Sequence, residues 1–243
     1  MKLTMPKQYG GVDRNLFLLK ILKQKGQLQN SEVQKLMKNE FLQEKSDDSS
    51  MLNKQDELAR YFGLIDYSPA QKMRNITEKG LSFIDSYEES QKKTQEIIES
   101  TITNNSFSFG KDNCAVPTSK SVLQPPVIFL RLIQELRYIT VKEFSYALID
   151  ENKTFQEIID EISRFRWDET EINIPKKYKK FNDPKFPQFL EEIGILVSTR
   201  SGNTKIYIFD EVVENSDFYK LLKETPTKFN AIALPKFSEL LKV

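Results

Sequence analysis

Leu58-Ala-Arg-Tyr-Phe-Gly63-Leu-Ile-Asp-Tyr67, followed after the turn-forming stretch from Ser68-Pro69 to Lys72 by Arg74-Asn75-Ile76-Thr77, decides the architecture of this chain. Leu58, Ala59 and Phe62 recur at helical spacing, and Gly63 sits where a helix ends on a residue free to turn left-handed. Two short apolar runs around a turn then read as a β-hairpin. Working back from this point, Ser49 or Ser50 opens the helix, which also carries Leu52. Asn30 or Ser31 caps an earlier helix bearing Val33, Leu36, Met37 and Phe41, and a first helix begins after Asp13, carries Leu16, Leu18, Leu19, Ile21 and Leu22, and stops before Gly26. Helix, helix, helix, hairpin is the order of a winged-helix unit.

The pattern recurs. Shifted by about 111 positions, Leu18 falls on Phe129, Leu19 on Leu130, Leu22 on Ile133, Leu28 on Ile139, Glu32 on Glu143, Val33 on Phe144 and Met37 on Leu148. At a shift of about 131, Gly63 falls on Gly194, Leu58 on Phe189, Leu64-Ile65 on Ile195-Leu196 and Ile76 on Tyr207. The second hairpin turns at Ser201-Gly202-Asn203, a strong hairpin signal. The expected fold is therefore mainly α with small β-hairpins (α+β), as two tandem winged-helix units joined by a helical linker. The first unit covers 1–87, and 88–124 is a linker, helical from Glu88 to Ile102 and irregular from Thr103 to Gln124. The second unit covers 125–215, with an insertion at about 153–181 that starts with a helix bearing Phe155, Ile158, Ile159 and Ile162. A helical tail covers 216–243.

Composition narrows the chemistry. The chain contains no histidine, which removes the commonest general base, the commonest zinc ligand and every Ser-His or Cys-His nucleophile pair. One cysteine, Cys114, excludes an internal disulfide or a cysteine zinc cluster. Eight glycines, scattered singly apart from Gly10-Gly11, form neither a phosphate loop nor a dinucleotide fingerprint. Glu169, Glu171, Asp210, Glu211 and the stretch from Asp217 to Lys220 supply residue types that a nuclease uses, but in loop-like or helical surroundings rather than on a buried strand, so they read as structural. No catalytic residue, metal ligand or cofactor is assigned to the chain. No apolar run is long enough for a bilayer and the N-terminus lacks a signal-peptide core, so the expectation is a cytoplasmic protein without a membrane partner.

A net charge of +1 means that any nucleic-acid surface must arise from local segregation of charge. In a winged-helix unit the third helix enters the major groove and the wing touches backbone or minor groove. In the first unit this points to Asn53, Lys54, Gln55 and Arg60 on the helix and to Gln71, Lys72 and Arg74 on the wing. In the second it points to Lys185 and Gln188 after Asp183-Pro184, and to Arg200, Asn203 and Lys205 on the wing. Asn, Gln and Arg suit bidentate base contacts, whereas Lys and Arg suit phosphates. The basic run of Lys176, Lys177, Lys179 and Lys180, with Arg164, Arg166 and Trp167 nearby, is a candidate for tracking phosphates.

The segment from Leu58 to Tyr67, together with Asn75-Ile-Thr-Glu-Lys-Gly80-Leu-Ser-Phe83, resembles the first wing in the DNA-recognition region of type IIS restriction endonucleases of the AlwI and FokI kind. Pro125-Pro126-Val127-Ile128-Phe129-Leu130-Arg131-Leu132-Ile133 and Thr140-Val-Lys-Glu-Phe144 are similar to the start of their second recognition unit. The resemblance covers most of residues 10–215. It implies sequence-specific binding of double-stranded DNA at a short asymmetric site, with Mg²⁺-dependent cleavage residing in a separate domain. This sequence stops at Val243 without one, which leaves either a recognition fragment or a subunit that leaves cutting to a partner. A plasmid replication initiator, or another tandem winged-helix regulator, shares the size and order of elements; a protein-interaction scaffold that binds no DNA is a third reading.

Overall fold

The computed structural model describes residues 11–41, 56–68, 70–104, 107–109, 115–117, 125–147, 153–174 and 186–230. The first unit comprises α1 (Gly11–Lys25), β1 (Leu28–Gln29), α2 (Asn30–Phe41), α3 (Glu57–Tyr61), β2 (Ile65–Ser68) and β3 (Met73–Ile76). Two helices follow, α4 (Glu78–Glu89) and α5 (Gln91–Asn104), then a hairpin of β4 (Phe107–Phe109) and β5 (Ala115–Pro117). The second unit comprises α6 (Pro125–Leu136), β6 (Ile139–Thr140), α7 (Val141–Ala147), α8 (Phe155–Trp167), α9 (Phe186–Glu192), β7 (Leu196–Ser201) and β8 (Thr204–Phe209). Short α10 (Glu211–Glu214) and α11 (Asp217–Asn230) close the described chain. The fold is mainly helical with two three-stranded antiparallel sheets, ordered β1-β3-β2 and β6-β8-β7. No helix among the described residues is long and apolar enough to cross a membrane.

The same local chemistry builds both units. At the start of α2, the Gln29 amide donates to Glu32 Oε2 at 2.9 Å, and at the start of α7 the Thr140 amide donates to Glu143 Oε2 at 2.7 Å. These glutamates occupy equivalent positions and satisfy amides that the helix start leaves open. At the ends of α3 and α9, Gly63 (φ 68°) and Gly194 (φ 82°) adopt the left-handed conformation. Each lets the next residue's amide reach five residues back, Leu64 to Ala59 and Ile195 to Leu190, in the same Schellman closure. Leu28 of β1 then lies opposite Arg74, as Ile139 of β6 lies opposite Tyr207.

The structure differs from the sequence reading at several points; α1 already starts at Gly11, before Asp13, and α2 at Asn30 itself. Ile76 corresponds to Phe209 rather than to Tyr207, because Ile65 pairs with Ile76 while Leu196 pairs with Phe209. Six-residue strands with a Gly202-Asn203 turn make the second wing two residues longer. The helix expected from Glu88 is two helices, because Thr77 caps α4 through its hydroxyl and Ser90 interrupts the path in an extended conformation. The stretch read as irregular from Thr103 contains the end of α5 and the β4–β5 pair. The start of the third helix at Ser49 or Ser50 lies outside the described residues, as does Leu148.

The two units share one continuous core. Phe62, just after α3, stacks on Phe189 of α9 with ring centroids 4.9 Å apart, and Tyr61 stacks on Phe186 at 6.2 Å. Phe83 of α4 covers Phe189 from another side. Polar ties cross the same junction: the Val12 amide donates to Glu192 Oε2 at 2.7 Å, and Gln95 Nε2 to the Gly194 carbonyl at 2.5 Å.

Gly80 is the tightest point beside the first wing. A Cβ there would lie 2.2 Å from the Leu64 carbonyl oxygen and 2.8 Å from Ile76 Cγ1. That carbonyl already accepts from the Thr77 amide and hydroxyl, so it is not free to retreat. Gly80→Ala should therefore destabilise the protein by about 1–3 kcal/mol despite alanine's higher helix propensity. Urea denaturation measures this; an unchanged midpoint would show that α4 can move off the Leu64 turn.

Candidate nucleic-acid interface

The second wing carries a run of exposed polar residues. Gly202 takes a positive φ of 58°, which brings β7 and β8 together through a two-residue turn. Thr199, Arg200, Ser201, Asn203 and Thr204 are all exposed at its tip. Gln188 is exposed on the neighbouring α9. Between the wing, the start of α7 and residues 171–174 lies a groove of about 800 Å³, lined by Thr140, Lys142, Asn173, Asn203 and Lys205 among others. Arg200 and Asn203 are exposed on the wing and Gln188 on the helix beside it, while Asn203 and Lys205 line the groove. Lys142 also lines that groove, and the sequence reading missed it; its place at the N-terminal edge of the second helix was the available signal.

Lys205 is less free than the hairpin pattern implies. Its Nζ donates to Glu191 Oε2 at 2.6 Å, and the Ser198 hydroxyl donates to the other oxygen of the same carboxylate. Glu191 of α9 therefore ties the third helix to both wing strands.

The first unit departs further from expectation. Gln71 and Lys72 are exposed at the wing turn, where Lys72 has a φ of 51°. Arg60 and Arg74, read as DNA-facing, are instead 6% and 3% exposed. Both pair with Asp56, which is itself buried: Arg60 Nε lies 2.8 Å from Asp56 Oδ2, and Arg74 Nε donates to the same oxygen. Both guanidinium groups also lie over the Tyr67 ring, at 5.3 and 4.8 Å from its centroid. The physical reason is burial: every residue of α3 is covered, so a cation there needs an internal anion. Asn53, Lys54 and Gln55 lie outside the described residues.

In the insertion, Arg164 is exposed as expected, whereas Arg166 is a structural anchor. It pairs with Glu143 through Nε at 2.7 Å and Nη2 at 3.0 Å, and donates to the carbonyls of Leu136 at 3.0 Å and Tyr138 at 2.7 Å. Its guanidinium stacks 3.7 Å over Tyr138. A fork satisfied on this many sides holds the end of α8 against the start of α7. Trp167, the next residue, is 87% exposed. Lys176, Lys177, Lys179, Lys180 and Lys185 lie outside the described residues.

Among the described residues, no group of three or more carboxylates comes together to hold a metal ion. Glu171 pairs with Lys142 at 2.6 Å, Asp210 caps α10 by accepting from the Val212 amide, and Asp217 pairs with Lys220 at 3.0 Å. Glu99 of α5 is the most perturbed carboxyl with a stated value: burial first, then repulsion from Glu96, raise it to about 7 against the pull of Lys92. It is a half-buried acid on the face of α5, with Glu96 and Lys92 as its charged neighbours.

No protein-family model matches this sequence, and no curated protein matches it. Among solved structures, that of the restriction endonuclease FokI is similar over 97% of this chain and 50% of its own, with a TM-score of 0.53 and 12% sequence identity. The present chain thus spans half the length of that protein, and the likeness extends through both winged-helix units as an arrangement of elements.

Two outcomes are expected from these placements. Arg166→Ala should cost about 3 kcal/mol of stability, because it leaves the buried Glu143 carboxylate without its cation and two carbonyls without their donors. Chemical denaturation tests this, and a loss below about 0.5 kcal/mol would contradict the anchor assignment. Glu99 has a folded-state pKa above its unfolded one, so its contribution is full below about 4.5 and is lost as pH rises through about 7. Glu99→Gln should flatten the decline in stability over that window and raise stability at pH 8; melting curves from pH 4 to pH 8 that parallel the wild type would exclude this.

Proposed function

We propose that this chain binds double-stranded DNA and reads a short asymmetric site, as the target-recognition part of a type IIS-like restriction system. The observation that carries this reading is the fusion of two units with the same helix-and-wing plan but different exposed residues. Gln71 and Lys72 stand at the first wing, and Arg200, Asn203 and Gln188 at the second face. Two non-identical readers held in one body suit a non-palindromic site, whereas identical readers related by symmetry suit a palindrome. The fold shared with FokI supports the same reading, since a restriction endonuclease must recognise DNA.

On this reading Asn53, Gln55 and Lys185 complete the base-contacting set, with Lys54 on phosphate. Arg164, Lys176, Lys177, Lys179 and Lys180 contribute affinity that does not depend on sequence. On the same reading, Mg²⁺ belongs to a separate cleavage unit or subunit. On this reading Arg60 and Arg74 leave the contact set through their burial and ion pairs, and Arg166 through its ion pair and carbonyl bonds.

The test is selection of bound duplexes from a random pool. One short non-palindromic sequence should emerge. A single Arg200→Ala or Gln188→Ala change should relax preference at one end of it only, at a cost of about 1–3 kcal/mol per lost bidentate contact. Recovery of directly repeated sites would favour a replication initiator, and absence of binding at low salt would exclude DNA as the partner.

A further inference from the structure

Arg74 stands on the wing strand where a direct DNA contact is easy to imagine, yet its surroundings give it a different task. Its guanidinium is buried against Asp56 and Tyr67, and its Nη1 has no hydrogen-bond partner among the described residues. Asp56 immediately precedes α3 and is 2% exposed. Two residues before Arg74, the carbonyl of Lys72 accepts from the Asn30 amide at 3.2 Å, at the start of α2. The wing turn carrying Gln71 and Lys72 is therefore pinned on two sides, to the start of α2 through backbone and to the start of α3 through the Asp56–Arg74 pair. Neither tie involves an exposed side chain.

The second unit meets the same requirement with the charges rearranged. Glu191, equivalent to Arg60, supplies the anion from the third helix, and Lys205 and Ser198 of the wing strands answer it. In the first unit the equivalent helix position is a cation, so Asp56, one turn earlier, must serve both Arg60 and Arg74. Two different side-chain sets that tie the third helix to its wing point to a shared geometric need. A surface ion pair would not require it, and apolar packing would have covered a mere core position at lower desolvation cost.

We infer that Asp56 and Arg74 form a latch that sets the first wing turn against the third helix, making Arg74 a positioning residue for DNA reading rather than a DNA contact. This rests on the proposed DNA-reading function. It makes an unusual demand of electrostatics. Asp56→Asn adds one net positive charge, so if Arg74 contacted phosphate directly, releasing it would strengthen binding to every duplex and leave preference intact. If the pair is a latch, the same change lowers discrimination between the preferred and a scrambled duplex by about tenfold while affinity for the scrambled duplex stays level or rises.

The experiment measures anisotropy of two labelled duplexes, the sequence selected by the wild-type chain and its scramble, with thermal melting alongside. Asp56→Asn should lose discrimination, and Asp56→Asn combined with Arg60→Glu, which restores a carboxylate beside Arg74, should recover it. Arg74→Lys retains the buried charge but not the planar fork, and serves if Asp56→Asn does not fold; it too should lose discrimination. Folded Asp56→Asn or Arg74→Lys protein with wild-type discrimination overturns the latch. Wild-type protein that binds both duplexes equally overturns sequence reading itself and the latch with it, so the wild-type measurement tells the two failures apart.

Discussion

The stack of Phe62 on Phe189 is the contact around which the molecule is organised. Each ring belongs to the third-helix region of its own unit, and each region ends on a glycine whose left-handed turn sends the chain directly into a wing strand. An aromatic pair is worth about 0.5–1.5 kcal/mol beyond the area it buries. Its larger effect here is geometric. The rings fix the third helices against each other, and the glycine closures fix each wing relative to its helix. The position of one wing is thereby determined by the other through a few rigid steps. A linker between independent domains would leave that relation to chance.

That arrangement also explains why the third helix of the first unit has so little surface. With β2 alongside and Phe186 of α9 stacked on Tyr61, Glu57 to Tyr61 are all buried, so polar residues in that stretch must be satisfied from within. Asp56, Arg60, Arg74 and Tyr67 form the resulting internal cluster. In the second unit α9 keeps Gln188 exposed, and its wing extends two residues further, so the balance of exposed polar surface shifts toward that side. The two units share a backbone plan but divide their surfaces unequally.

The backbone plan was largely legible in the sequence because its signals are local. Gly63 and Gly194 and the turn at Gly202-Asn203 act within a few residues and do in the structure what their positions implied, and Glu32 and Glu143, matched only as repeat partners in the sequence, make the same helix-start bond. The helix α4 was hidden by continuity: Leu81, Phe83 and Ile84 follow the hairpin without an obvious pause, and the break at Ser90 is a matter of backbone torsion rather than residue type. The site was less legible because exposure is not local. Arg74 and Asp56 are 18 positions apart, and Arg166 and Glu143 are 23 apart. Nothing in an isolated arginine distinguishes a phosphate contact from an internal anchor. The distinction appears only when the chain brings a carboxylate to it.

Charge pairing along the described surface bears on the proposed DNA-reading function. Lys20, Lys23, Lys93, Lys142 and Lys220 each face a carboxylate, Glu88, Asp85, Glu89, Glu171 and Asp217. A chain with a net charge of +1 has little overall positive field, so on the proposed reading affinity has to come from local groups, the Lys176–Lys180 run and exposed residues such as Arg200 or Lys72. On that same reading, base recognition depends on hydrogen bonds whose geometry tolerates little error. The buried ion pairs, the Arg166 anchor and the shared aromatic core fix the elements that would carry those bonds, so the proposed function asks of rigidity what a strongly basic protein could obtain from net charge.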